Sequence, residues 1–123
     1  MKRLEITNFS KKVMDVYSDY FEVKYCSSEG NRYLIGLDVR DVVSFKPLMR
    51  YKHYKMSIDK IPNEDGNYGI WLWEMGKNIS YPMSIMPDAL SSLSEFTSFL
   101  NHTLTLANEG SFSGDKGNRI DNK

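Results

Sequence analysis

The 123-residue sequence predicts an α+β fold, an antiparallel sheet of about four to five strands with two helices packed mainly on one face. Three observations lead there. Apolar residues recur at period two in separate short segments, the mark of half-buried strands. Two clusters of turn-forming residues join neighbouring segments into hairpins. Two further stretches carry apolar residues three and four apart, the stripe of a helix lying on a core. Successive hairpins favour antiparallel pairing, and the expected order is β-α-β-β-β-β-α.

Leu4 and Ile6 alternate with charged residues and suggest a short first strand. Ser10 is placed to cap a helix from Lys11 to about Tyr20, with Val13, Met14, Tyr17 and Phe21 at helical spacing. Phe21, Val23 and Tyr25 then alternate as far as the turn cluster Ser27-Ser28-Glu29-Gly30-Asn31, and Tyr33, Ile35, Leu37 and Val39 repeat the alternation beyond it. Pro47 argues against a continuous central strand over Val42–Leu48. Tyr54, Met56 and Ile58 begin a second hairpin, whose turn is Pro62-Asn63-Glu64-Asp65-Gly66-Asn67 and whose return strand is Tyr68–Met75. The stretch Gly76–Met86 reads as a loop, rich in apolar residues for a connection. Pro87 and Asp88 open a last helix with Leu90, Leu93, Thr97, Leu100 and Leu104 on one stripe, stopped by Gly110.

Composition narrows the class. The chain has 16 basic and 16 acidic residues, 41% hydrophobic and 13% aromatic residues, and one cysteine. That is a folded domain and not a disordered chain or a disulfide scaffold. Residues 1–109 are expected to form a single α+β domain, and 110–123, with only Phe112 and Ile120 as bulky apolar residues, a flexible tail. The N-terminus carries neither the apolar run of a signal peptide nor a membrane span, so a cytoplasmic location is expected.

The balanced total hides a segregated pattern. Residues 42–60 carry +4, residues 61–109 carry −5, and residues 1–41 are neutral. The stretch Phe45–Lys55 interleaves Lys46, Arg50, Lys52, His53 and Lys55 with aromatics, a composition that also suits nucleic acid. The neutral whole speaks against nucleic acid, and the favoured reading is an edge strand whose cations repel added strands.

Trp71 and Trp73 share one face of their strand with Gly69 and Met75, while Ile70 and Leu72 share the other. Both faces are apolar. Packing of the tryptophans beneath the helices is the favoured reading. If instead Ile58 pairs with Ile70, Met56 with Leu72 and Tyr54 with Glu74, the tryptophans lie on the opposite face beside His53, Lys55 and Ser57. A one-residue slip separates the two arrangements.

No familiar chemistry is spelled out. His53, His102 and Cys26 make no zinc spacing, and no glycine-rich phosphate loop is present, so no metal or cofactor is expected. Cys26 reads as a small buried hydrophobe, and Asp38 and Asp41 flank Arg40 in what reads as a solvated turn. The expected function is therefore a small non-catalytic protein-binding module. Its most concrete form is a stoichiometric inhibitor, such as a bacterial immunity protein, that neutralises a toxin or effector by occluding its functional surface. The candidate contact residues are Arg50, Lys52, His53, Lys55, Trp71 and Trp73, with Glu64 and Asp65 on the turn. Two alternatives stay open: a metal-free hydrolase or nuclease using His53 and His102, and a self-associating assembly subunit.

Overall fold

The computed structural model describes residues 9–40, 51–77 and 80–108. Three helices, α1 (Phe9–Met14), α2 (Pro87–Ser91) and α3 (Leu93–Asn108), accompany five strands. These are β1 (Phe21–Glu29), β2 (Arg32–Arg40), β3 (Tyr51–Asp59), β4 (Tyr68–Glu74) and β5 (Ser80–Ile85). All neighbours pair antiparallel in chain order, so the sheet is a simple meander in an α+β fold.

Alternation sends one set of side chains from every strand to a common face. Ile35, Leu37, Val39, Met56, Ile58, Ile70 and Leu72 are at most 1% exposed there. The helices cover this face. Phe9 and Val13 of α1, Leu90 of α2 and Phe96, Leu100, Leu104 and Ala107 of α3 join the same core cluster. The Phe9 ring bridges sheet and helix, 4.5 Å from Tyr33 and 6.0 Å from Phe96. In the β3–β4 turn the Asn63 side chain accepts the N–H groups of Asp65 and Asn67, and Gly66 takes a positive φ of 86° that suits glycine.

Several expectations are corrected. The first helix ends at Met14 and does not run to Tyr20. Short polar side chains after it bond locally and compete with the helix, as where Ser18 Oγ accepts the Tyr20 N–H and Tyr17 donates to Asp19. Tyr17 is consequently 79% exposed and outside the core. The expected loop Gly76–Met86 contains β5, whose Tyr81 and Ile85 are buried. Its Pro82 has no N–H to donate and sits acceptably in an edge strand. The last helix is broken at Ser92, which is extended (φ −115°, ψ 131°) and whose Oγ accepts the Glu95 N–H. Ser92-Leu93-Ser94-Glu95 has the sequence pattern of a capping box, a local signal for a fresh helix start.

Two further corrections shape the site. The basic strand is not an edge: β3 is the central strand, paired along both sides. Tyr25 does not share a face with Phe21 and Val23, because a bulge between Val23 and Tyr25 shifts the register and reverses the alternation. The expected strand Leu4–Ile6, the segment Val42–Leu48 and the tail 110–123 lie outside the described residues.

Candidate functional site

The second face of the sheet carries a patterned set of side chains, and the described helices all pack on the other side. Register places Tyr25, Gly36, Lys55, Trp73 and Ser80 in one row across all five strands. The next row holds Ser27, Leu34, Ser57, Trp71 and Pro82 across all five. Trp71 is 37% exposed, Tyr25 43% and Met75 54%, against essentially complete burial of Leu72 and Ile70 beside them. The favoured expectation of tryptophans beneath the helices is thus overturned. Tyr54 faces Glu74, Met56 faces Leu72 and Ile58 faces Ile70, which turns Trp71 and Trp73 outward.

The bulge in β1 and Gly36 in β2 act together. A Cβ placed at Gly36 would lie 2.1 Å from Tyr25 Cε2, so the ring rests where a side chain would otherwise stand. Ser57, at the centre of the face, is fully buried, and its hydroxyl has no hydrogen-bond partner among the described residues.

Polar groups collect at one end. His53 Nδ1 lies 2.6 Å from Asp38 Oδ1; because a carboxylate only accepts, Nδ1 carries the proton. Asp38 is therefore a strand residue bound to His53 and not part of a solvated turn. Lys24 lies 3.8 Å from Glu22 at the same end, whereas Arg32, 3.3 Å from Asp59, sits at the opposite end of the sheet. A shallow cavity of about 250 Å³ opens among Tyr25, Gly36, Asp38, His53, Lys55 and Met75.

The structure brings together His53, Lys55, Trp71 and Trp73 of the predicted contact residues. Lys52 separates from them: it pairs with Val39 and shares the parity of Tyr54, which puts it on the helix-bearing face. Lys60 also leaves the basic stripe, buried with its ammonium over the Tyr33 ring and bonded to Ser28 Oγ. Glu64 and Asp65 are exposed on the β3–β4 turn, at the opposite end of the sheet from His53. Arg50 lies outside the described residues. Sequence reasoning missed Tyr25, Leu34, Met75, Pro82 and Asp38. A glycine inside an otherwise bulky strand, Gly36, was the one local hint that an aromatic ring lies across it.

Other titratable groups sit away from this face. His102 is exposed on α3, in the layer on the far side of the sheet, so it shares no site with His53. Cys26 is half-buried against the core, and burial pushes its thiol pKa up. Tyr54 and Tyr81 are buried beside Glu74; burial and then the Glu74 carboxylate raise both phenols. Among the described residues no group of three or more His, Cys, Asp and Glu side chains gathers as a metal site, and no helix is long and apolar enough to cross a membrane. Comparison with protein-family models, curated proteins and solved structures finds no match to this chain.

Proposed function

We propose that this chain is a small protein-binding module without chemistry of its own, engaging its partner through the sheet face opposite the described helices. More particularly, it acts as a stoichiometric inhibitor, in the manner of an immunity protein, and blocks the functional surface of a toxin or effector. One observation carries this reading: Tyr25, Leu34, Trp71 and Trp73 lie together on one face of a paired sheet whose other face is packed by the described helices. Tryptophan and tyrosine dominate binding hot spots because they bury much area for few rotatable bonds. Held on paired strands, they lose little further freedom on association, which favours tight binding by a small domain.

The test is affinity purification of the tagged chain from the cells that make it, followed by mass spectrometry under near-native conditions. Three forms are compared: the wild type, Trp71→Lys/Trp73→Lys, and Ser98→Lys on the exposed helical side. The reading expects one protein in equal ratio, lost with the tryptophan variant and kept with Ser98→Lys. A partner retained equally by the tryptophan variant overturns it. A mass that rises with concentration for the pure chain would replace inhibition with self-association.

A further inference from the structure

We infer that the cavity between Tyr25, Lys55, His53 and Met75 is the seat of one acidic side chain of the partner, an inference that rests on the reading above. The charges around this cavity are not equivalent. Asp38, the one carboxylate lining it among the described residues, is held by His53 at 2.6 Å, and Lys24 has Glu22 at 3.8 Å. Lys55 has no such partner among the described residues, although it is half-buried at the centre of the sheet. It lies directly between Gly36 and Trp73 in the same row, so a partner that covers both tryptophans also covers Lys55. Removing that ammonium from water without a counter-charge is strongly unfavourable, and a carboxylate brought by the partner offsets it.

The space fits the same occupant. The cavity of about 250 Å³ corresponds to roughly eight waters at about 30 Å³ each. That is room for one side chain and its bound water. Gly36 and the Tyr25 ring that fills the space over it form one wall of this cavity. The walls supplied by Tyr25 and Met75 suit the methylene arm of a glutamate or aspartate, and Lys55 suits its head. The partner segment is therefore acidic at one position and apolar around it, which complements a lysine ringed by aromatic side chains.

The test uses a matched pair of probes, 3-phenylpropionate and 3-phenylpropionamide, titrated into the full chain and followed by amide and indole NMR signals. Both are expected to move the Gly36, Lys55 and Trp73 signals. The acid should bind about fivefold tighter, the worth of one partly screened ion pair. Lys55→Met should bring that ratio to about one, while Lys55→Arg, which keeps the charge, should preserve the preference. Equal binding of acid and amide to the wild type, or no movement of these signals by either probe, overturns the acidic seat. The protein-binding reading fails by a separate observation, retention of the partner by Trp71→Lys/Trp73→Lys.

Discussion

Leu72→Ala and Trp71→Thr alter adjacent residues of one strand and are expected to differ sharply in cost. Leu72 is 0% exposed, opposite Met56 in the middle of the core. The substitution removes three carbons, worth about 2.4 kcal/mol at about 0.8 kcal/mol per buried methylene. The space left is walled by Met56 and Ile70 on paired strands that cannot collapse into it, so a cavity term brings the loss to about 3–4 kcal/mol. Trp71 is 37% exposed, with Ser57 and Pro82 as its cross-strand neighbours. Its removal leaves an open depression that water fills, and threonine keeps the strand preference. The loss is that of a cross-strand pair, about 1 kcal/mol. Urea unfolding followed by far-UV circular dichroism measures both, since that signal reports mainly the backbone. A Trp71→Thr loss equal to or larger than that of Leu72→Ala would refute the register that turns the tryptophans outward.

Other consequences are open to direct measurement. Iodide is expected to quench a substantial part of the tryptophan emission of the native chain, and Trp71→Phe should remove most of the quenchable part; native emission indifferent to iodide would contradict the exposure of Trp71. Burial and the neighbouring Glu74 carboxylate hold the Tyr54 and Tyr81 phenols above their ordinary value of 10.0. The unfolded chain releases those protons near pH 10 while the folded chain retains them, so stability present below that pH declines above it. A urea midpoint that does not fall on alkaline titration past that point would contradict the buried cluster, and Tyr54→Phe should blunt the decline. Ser92→Ala removes the hydroxyl that receives the Glu95 N–H at the start of α3 and should cost about 1 kcal/mol in thermal or urea unfolding. No loss there would place the helix start elsewhere.

Much of the core was legible because its signal is local. Tyr33, Ile35, Leu37 and Val39 alternate with few apolar residues between them, and Leu100 and Leu104 of the expected helical stripe reach the core, whereas Leu93 is 39% exposed because the break at Ser92 puts Leu90 on a separate helix and interrupts the stripe. The turn at Asn63–Asn67 was legible for the same reason, since its side chains bond to their own backbone. The site was less so. Ser80–Ile85 holds Pro82 and two serines and lacks clean alternation, yet pairs with β4 because the edge of that strand is otherwise unmatched.

The sequence by itself determined an α+β domain, its two main hairpins, the membership of most of its core and the pairing of aromatic with basic residues in the second hairpin. Which face those aromatic and basic residues occupy was decided only by the tertiary structure. Tyr68–Met75 is apolar at both parities, so its own alternation is symmetric between two registers. Pairing with Tyr54, Met56 and Ile58, whose alternate neighbours His53, Lys55 and Ser57 are polar, breaks that symmetry. The central position of β3 and the bulge that carries Tyr25 over Gly36 are likewise properties of neighbouring strands, which no single segment encodes.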